Sequence, residues 1–441
     1  MSTLDIRLRV TSPELMALPW AVPLAGWDPT GVALRDVPVG PSRHLVRFVE
    51  ADLRLWALKA LPRRVAHREY DALRHMERRD LAAVRPAGLV TRGGDDEAVL
   101  LTHYLDGSWQ YRRLLMRVPV GAAHRGRLFE AMAVLMVDLH RNGIYWGDCS
   151  LANTLFRRDG QTISAWMVDA ETTEIHPRLS DGQRQADLDI LVENVAGGLL
   201  DVAARRGDGP EATGVILAEA RGVVERYARL WGLLHDEPIV HQGDREAIDS
   251  RVRALNETGF AIDEVRLETA DRPDDAASGR LRMRVDVAGR LFHADRLRSL
   301  TGLEVGEGQA TILMNDLEAF RRRLEASTGT EVPERVAAQH WSVEEFTPGV
   351  ERAHAAVGRH GDPTQAYCDL LEVRWLLSEA AGHDVGEETA LDAMARRAVP
   401  DDSAANLGFV EMATAEIPAI HVEPVENEPD DPDGPGRARP D

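Results

Sequence analysis

The segment that decides the fold of this 441-residue chain runs from Leu139 to Phe156 and reads LHRNGIYWGDCSLANTLF. Phe129 to Arg141 places apolar side chains at helical spacing and stops at a glycine, which predicts an amphipathic helix. Thr154 to Arg157 predicts a short strand. Asp148 and Asn153 lie in the loop between these elements, which presents a carboxylate and an amide five positions apart.

A second acid, Asp169, follows the second strand of a predicted hairpin. Ala165 to Val168 predicts a second strand, paired with the first in a hairpin, and Asp169 comes directly after it. Glu171 lies two residues further on, where it is either a second metal-binding or proton-relay carboxylate or a solvated loop acid. The hairpin therefore has one acid before it and another after it.

Lysine usage singles out one further residue. The chain has 52 basic side chains, of which 51 are arginine, and Lys59 is the one lysine. Leu53, Leu55, Ala57 and Lys59 share one face of a predicted strand, Leu53 to Leu61, because side chains alternate along a strand. An ammonium is compact and a guanidinium is a wide fork, so a site with room for the ammonium alone retains lysine. The pattern predicts an inward Lys59 that needs an anionic partner, with a snorkelling strand lysine as the alternative.

The next predicted helix, Val65 to Arg79, supplies that partner. Glu69 falls on the apolar stripe of this helix, in line with Leu73 and Met76. An inward lysine followed by an inward glutamate is the arrangement that a buried ion pair needs. Glu77, about two turns further along the helix, is the fallback partner.

These side chains supply the parts of a phosphoryl-transfer site. A Mg-bound triphosphate needs a cation on its non-transferred phosphates, hard oxygen ligands for the metal and a carboxylate near the acceptor hydroxyl. Lys59, the pair Asn153 and Asp169, and Asp148 supply these parts in turn. We therefore predict ATP and Mg²⁺ as cofactors.

The order of these motifs resembles the protein-kinase-like superfamily, and within it the bacterial lipopolysaccharide (Kdo/heptose) kinases and aminoglycoside phosphotransferases. WALKAL (56–61) resembles the lysine strand and HYLDG (103–107) the hinge between lobes. LHRNGIYWGDCSLANTLF resembles the catalytic loop, and VDAE (168–171) takes the place of the metal-binding DFG. The resemblance spans residues 34–200 and implies a two-lobed kinase-like fold.

Carried over residue by residue, the resemblance gives each position a role. It implies that Lys59 holds the α- and β-phosphates and that Glu69 holds Lys59. It implies that Asp148 accepts the proton of the acceptor hydroxyl or orients that hydroxyl. Asn153 and Asp169 would bind Mg²⁺.

The nucleotide-binding parts depart from the family pattern. Tyr104 and Leu105 would line the adenine slot. The sequence has no G-x-G-x-x-G, and the one candidate phosphate loop, VGPSR (39–43), would use Gly40 and Ser42, with an ordinary turn as the alternative. Trp146 stands where the family usually has His or Arg.

Two acids, Asp187 and Asp189, open the helix that follows the candidate site. Acids suit the N-terminal end of a helix dipole. Alternatively, one of them braces the catalytic loop from below, as an acid in the corresponding kinase helix does.

Charge and composition divide the chain into parts. The net charge is −21, yet residues 1–200 hold 25 basic and 25 acidic side chains, and residues 401–441 hold 2 and 11. The resemblance extends to a C-terminal domain of unknown function attached to such kinase-like regions in high-GC bacteria. We predict an α+β chain with a two-lobed kinase-like fold and a mixed, mainly helical second domain. Its parts are an N-terminal extension (1–33), the kinase-like domain (34–205), the C-terminal domain (211–399) and a disordered acidic tail (400–441).

Composition also bounds the setting. Strong acidity argues against non-specific nucleic-acid binding. Two cysteines, Cys149 and Cys368, make no disulfide framework, and no signal peptide or unbroken apolar span is present, so we expect a cytoplasmic protein without a membrane span. Arg280, Arg282 and Arg284 share a strand face that is either an anion-binding surface or a solvated face paired with acids.

The leading hypothesis is an ATP- and Mg-dependent phosphotransferase, a kinase, acting on a small-molecule or carbohydrate-type hydroxyl. The alternative is a catalytically weak, pseudokinase-like ATP-binding regulator that contacts a protein partner through residues 211–399. A third hypothesis is transfer of another group from ATP, such as adenylyl, on the same fold.

Overall fold

The computed structural model describes residues 3–37, 43–94, 96–116, 118, 120–121, 123–241, 243–269 and 280–408. Its strands, numbered in chain order, are β1 (Leu4–Leu8), β2 (Leu34–Arg35), β3 (Val46–Ala51), β4 (Arg54–Pro62), β5 (Pro86–Arg92), β6 (Glu97–His103), β7 (Ser108–Gln110), β8 (Ile144–Tyr145), β9 (Thr154–Asp159), β10 (Thr162–Met167), β11 (Glu174–Ile175), β12 (Ile239–His241), β13 (Ala261–Thr269) and β14 (Arg280–Gly289). Its helices are α1 (Pro13–Met16), α2 (Arg63–Glu77), α3 (Tyr111–Leu115), α4 (Ala123–Arg141), α5 (Asp181–Arg206), α6 (Ala212–His235), α7 (Arg245–Glu257), α8 (Phe292–Thr301), α9 (Glu307–Thr328), α10 (Glu334–Trp341), α11 (Thr347–Ala356), α12 (Pro363–Ala381) and α13 (Gly386–Ala395).

The N-terminal lobe is a sheet of six strands in the order β1-β5-β6-β4-β3-β2, with every neighbouring pair antiparallel. Strand β4 carries Lys59, which pairs with Val46 of β3 on one side and Leu100 of β6 on the other. Both backbone edges of β4 are therefore hydrogen-bonded, which fixes the position from which Lys59 projects. Helix α2 follows β4 without a loop, since β4 ends at Pro62 and α2 begins at Arg63. This direct connection explains the short sequence spacing between Lys59 and Glu69.

The N-terminal segment, which we expected to be an extension, is part of this lobe. Strand β1 pairs with β5 from Leu4 opposite Arg92 onward. A hydrophobic cluster joins the segment to the outer face of the sheet; its large members are Leu15, Trp20, Leu24, Trp27, Trp56, Leu58, Val99 and Leu101. The sheet is therefore covered on its outer face as well as on the face that carries Lys59.

The beginning of β4 differs from the sequence prediction. We expected Leu53 on the inward face, but Asp52 and Leu53 form the hairpin turn between β3 and β4, with φ angles of 51° and 58°. Leu53 is 96% exposed. A two-residue hairpin turn of this kind needs positive φ at both central residues, so the turn geometry overrides the alternating pattern at this position.

The second lobe is mainly helical around two small sheets, β10-β9-β7 and β11-β8. Helix α6 packs against α4 and α5, and α5 contacts the loop that contains Asp148 through Asp187 and Asn194. The buried core of this lobe continues past the predicted boundary at 205–211 through α6 to Phe260, and it also includes Leu407. The lobe therefore uses residues that we had assigned to the C-terminal domain and to the tail.

The C-terminal domain has the mixed, mainly helical composition that we predicted. Strands β12, β14 and β13 form an antiparallel sheet in that order, and helices α8 to α13 enclose a separate core around Leu313, Trp341 and Val373. Among the helices that the structure describes, none is long and apolar enough to cross a membrane.

The turn between β9 and β10 joins this domain to the kinase-like lobe. The Asp159 carboxylate accepts hydrogen bonds from the backbone N–H groups of Gly308 and Gln309, each at 2.9 Å. The Gln365 side chain bonds both the N–H and the carbonyl of Gly160, each at 2.9 Å. Because these groups are buried or partly buried, the contacts hold α9 and α12 in a fixed relation to the β9–β10 hairpin.

The first residues of the predicted tail are packed. Among residues 400–408, Ala404 and Leu407 are 1% and 3% exposed. The guanidinium of Arg158 on β9 donates to the carbonyl of Ala404 at 3.4 Å and pairs with Asp369 of α12 at 2.6 Å. The prediction of disorder from residue 400 is therefore wrong for 400–408, because alanines and a leucine among the acids bury here. Residues 409–441 lie outside the described residues.

Candidate active site

Lys59 lies between two carboxylates at the cleft between the lobes. Its Nζ is 3.1 Å from Glu69 Oε2 and 2.7 Å from Asp169 Oδ2. The side chains of Lys59 and Glu69 are 13% and 1% exposed, so the expected buried ion pair is present. The fallback partner, Glu77, instead pairs with Arg9 at 2.5 Å.

The pKa values of Lys59 and Glu69 depend on each other. Burial by itself lowers the pKa of the Lys59 ammonium, but Glu69 and Asp169 outweigh burial and raise that pKa overall. Burial raises the pKa of Glu69 to about 7, against the opposing effect of Lys59. Two acids facing one ammonium leave an excess of negative charge, which a bound cation would offset.

Three carboxylates converge beside this lysine. Glu69, Asp169 and Glu171 each offer an oxygen, and these atoms lie within 4.8 Å of one another. Glu171 is not a solvated loop acid, since its side chain is 18% exposed and lies 3.0 Å from Nε2 of His44. Carboxylate oxygens are hard ligands of the kind that Mg²⁺ takes. The cluster includes the predicted ligand Asp169 and adds Glu171.

The acid and the amide of the catalytic-loop motif are bonded to each other. Nδ2 of Asn153 donates to Oδ2 of Asp148 at 3.0 Å and to the Asp148 carbonyl at 3.1 Å. Nδ2 of Asn194, on α5, donates to the other carboxylate oxygen, Oδ1 of Asp148, at 3.2 Å. Each carboxylate oxygen of Asp148 therefore accepts a hydrogen bond from an amide, and the two bonds fix the orientation of the carboxylate. Burial raises the pKa of Asp148 and the hydrogen bond from Asn153 opposes that change.

Asp187 is the acid that braces the catalytic loop. It is fully buried, and its carboxylate accepts hydrogen bonds from the backbone N–H groups of Trp146 and Gly147, each at 2.8 Å. His140 Nε2 lies 3.1 Å from the same carboxylate. Asp189 is exposed and bonds only Gln185 among the described residues. Bracing, one of the two alternatives for this pair of acids, therefore holds for Asp187. The other alternative, acids at the N-terminal end of the helix, is wrong, because α5 begins at Asp181.

The segment that the resemblance assigns to the hinge directly follows β6. Tyr104 and Leu105 follow the end of β6 and are partly buried. The Tyr104 N–H donates to the Leu55 carbonyl of β4 at 3.3 Å, and its ring packs edge-on against Phe48 of β3, with centroids 5.8 Å apart. The hinge is therefore tied to the same two strands that position Lys59.

The predicted phosphate loop cannot be placed, since Gly40 and Ser42 lie outside the described residues. The residues that follow it approach the acids of the cleft. His44 contacts Glu171, and Arg68 of α2 donates to the carbonyl of Glu171. These contacts join the segment before β3, helix α2 and the segment after β10 at Glu171.

The arginine face of β14 has acidic neighbours. Arg282 is 3.8 Å from Glu237, and Arg284 is 3.4 Å from Asp286. These ion pairs support the second alternative for this face, a solvated strand surface paired with acids.

Sequence reasoning missed two residues of the site. Asn194 lies mid-helix, 46 positions after Asp148, and an amide there carries no sequence signal. His44 sits at the end of a turn-rich stretch in which we had weighed only Gly40 and Ser42.

A lysine held by acids from a helix and a strand end, together with a loop acid fixed by two amides, is the set of groups that a kinase-like phosphotransferase needs. Comparison with known proteins agrees with this class. Residues 50–204 match the lipopolysaccharide kinase (Kdo/WaaP) family, and residues 229–399 match a domain of unknown function, DUF4032. These matches confirm the resemblance to the lipopolysaccharide kinase family and to a C-terminal domain of unknown function. No curated protein matches the chain.

Among solved structures, the chain is similar to WaaP in complex with acyl carrier protein, at 19% identity and a TM-score of 0.33. That match covers 51% of this chain and 99% of the other. It is also similar to the yeast RNA Pol II CTD kinase CTDK-1 complex, at 19% identity and a TM-score of 0.24, over 34% of this chain and 51% of the other.

Proposed function

We propose that this protein is an ATP- and Mg²⁺-dependent kinase that phosphorylates a hydroxyl group of a small-molecule or carbohydrate-type acceptor. The observation that carries the proposal is the buried pairing of Lys59 with Glu69 and Asp169. An ammonium between two acids is a costly arrangement unless it serves chemistry, because each buried charge must be compensated. Phosphoryl transfer needs these charges, since its transition state is stabilised mainly by positioning and electrostatics.

Each residue then has a part in the reaction. Lys59, held by Glu69, binds the non-transferred phosphates. Asp169, with Asn153 as the sequence motif implies, holds the metal, and Glu171 is close enough to Asp169 to contribute. Bound Mg²⁺ would neutralise phosphate charge. Asp148 orients the acceptor hydroxyl and receives its proton; a raised pKa makes this carboxylate a better base than a free aspartate.

The hinge supplies the remaining part of the nucleotide site. Tyr104 and Leu105 would line the adenine slot, while Gly40 and Ser42 would contact the phosphates. We place the reaction in the cytoplasm, with the C-terminal domain available for a protein partner.

Substitution of two acids tests the catalytic assignment. Asp148→Ala should abolish phosphate transfer to a pool of sugars, sugar acids and amino alcohols while ATP still binds. Asp169→Ala should lose Mg-dependent ATP binding as well. Asp189→Ala, an exposed acid on α5, is the matched control and should retain both. Transfer in Asp148→Ala at the wild-type rate would exclude Asp148 from the reaction.

The absence of G-x-G-x-x-G from the sequence favours a second candidate, an ATP-binding regulator with little turnover. For such a protein, ATP with Mg²⁺ would raise the melting temperature, yet no acceptor pool would yield product or ADP. The mass of the product separates a transferred phosphoryl group from an adenylyl group.

A further inference from the structure

A cavity of about 740 Å³ lies between the hinge and the C-terminal domain. Its walls come from the hinge (Tyr104 and Asp106 to Ser108), from β9 and from the beginning of α12. Its volume lies in the range of small-molecule binding sites. None of Lys59, Asp148, Asn153 and Asp169 is among the described residues that line it. The cavity therefore shares Tyr104 with the expected adenine slot but contains none of the candidate catalytic and metal-binding residues.

Basic side chains dominate the polar part of this wall. Arg113, Arg157, Arg158 and Arg397 line the cavity together with His360. Within the described parts of the chain, neither Arg157 nor Arg397 has a carboxylate within ion-pair distance of its guanidinium. Guanidinium groups bind phosphate and carboxylate oxygens in a paired geometry.

Two of the three acids of the wall, Asp362 and Asp369, are already bonded to the protein, and the third, Asp106, is exposed and forms no ion pair with Arg157 or Arg397 among the described residues. Asp369 pairs with Arg158 at 2.6 Å and accepts from Gln365 at 2.9 Å. Asp362 accepts from the Thr364 N–H and from Gln309 Nε2, each at 2.9 Å. Because the carboxylates of Asp362 and Asp369 are already bonded to these groups, they do not neutralise the positive charges of Arg157 and Arg397.

Arg397 has an unusual backbone. Its φ is 54°, in the left-handed region that a side-chain-bearing residue rarely adopts. This position follows the end of α13, where glycine is the usual residue. An arginine at this position places a guanidinium at the cavity where the backbone alone would favour glycine.

We propose that this cavity, named here the hinge-side cleft, binds a polyanion that carries two or more phosphate or carboxylate groups. Two sources share this chemistry. One is a free small molecule. The other is the chain itself, because Gly408 lines the cleft and residues 409–441 hold nine acidic side chains against two arginines. A tethered segment acts at a high effective concentration.

Calorimetric titration of the full chain with tripolyphosphate in Mg-free buffer tests the site. We expect binding that persists in Lys59→Ala, since that substitution removes the phosphate-binding cation of the candidate active site. The double variant Arg157→Gln/Arg397→Gln should bind at least about tenfold more weakly. Arg396→Gln is the matched control, because Arg396 adjoins Arg397 in sequence, is 74% exposed and does not line the cleft. Unchanged melting temperatures show that the variants fold.

Two results would overturn the proposal. In the first, binding is lost in Lys59→Ala, which places the anion at the candidate active site. In the second, binding is equal in the wild type and in the double variant, which places it elsewhere on the surface.

A tail of reduced charge identifies the source. Five of its nine acidic residues are changed to glutamine, namely Glu411, Glu416, Glu423, Glu426 and Glu428. If tail carboxylates occupy the cleft, tripolyphosphate should bind this variant at least about tenfold more tightly than the wild type. Equal binding by the two chains supports a free polyanion as the ligand. No binding by either chain rejects the hinge-side cleft as an anion site.

Discussion

Asp187→Ala should destabilise the protein by removing the brace of the catalytic loop. The Asp187 carboxylate is fully buried and accepts from two backbone N–H groups at 2.8 Å, with His140 at 3.1 Å. Alanine would leave these donors buried without an acceptor. One unsatisfied buried donor costs about 1–3 kcal/mol, and removing a partner from a buried charged network about 3–5 kcal/mol. Because the donors share one carboxylate, their losses do not add, and we expect a loss of about 3–5 kcal/mol.

Urea unfolding followed by tryptophan fluorescence measures this loss. Domains unfold with free energies of about 5–15 kcal/mol, so the midpoint should fall substantially. Asp187→Asn retains one acceptor oxygen but turns an NH₂ group toward a donor, so we expect an intermediate loss. Asp189→Ala removes an exposed acid from the same helix and should change the free energy by no more than about 0.5 kcal/mol.

The effect on the loop separates bracing from general stabilisation. Under conditions in which Asp187→Asn stays folded, its rate of phosphate transfer should fall more than its affinity for ATP. The reason is that Asp148 directly follows the braced residues Trp146 and Gly147. A loss for Asp187→Ala below about 1 kcal/mol, together with unchanged transfer, would refute the reasoning.

Four further predictions concern the site and the domain contact. Lys59→Arg should weaken ATP binding at least about tenfold in calorimetry, because the wider guanidinium replaces an ammonium confined between two acids. Asn194→Ala should lower kcat about five- to tenfold at unchanged KM for ATP in steady-state kinetics, because it frees one oxygen of Asp148. Burial raises the pKa of Asp148, whose ionised form is the base, so kcat should fall with decreasing pH at a value above the ordinary aspartate pKa of about 3.9. Asp159→Ala should cost about 1–2 kcal/mol in urea unfolding, because two helix N–H groups lose their cap.

Much of the candidate site could be predicted from the sequence because its residues follow local periodic rules. The alternation of β4 placed Lys59 inward and the helical period of α2 placed Glu69 inward, and the two side chains meet. The roles assigned to Asp148, Asn153 and Asp169 stay predictions, although the structure brings Asp169 to Lys59 and Asn153 to Asp148.

The rest depended on contacts between residues distant in sequence. Asn194 reaches Asp148 because α5 passes beneath the loop, and no pattern within α5 marks that face. Leu53 was misplaced because two positive φ angles in a hairpin turn override the alternation of the strand. Residues 400–408 were assigned to the tail on charge, yet Ala404 and Leu407 are buried against distant elements.

The packing of Leu407 in the core of the second lobe has a consequence for synthesis of the protein on the ribosome. A nascent chain can pair β1 with β5 once residue 92 has emerged, but the second lobe stays incomplete until residue 407 has emerged. Ribosomal stalling anywhere in the DUF4032 region would therefore release a kinase-like lobe with an open core. The proposed phosphotransfer should accordingly require a chain that extends through residue 407.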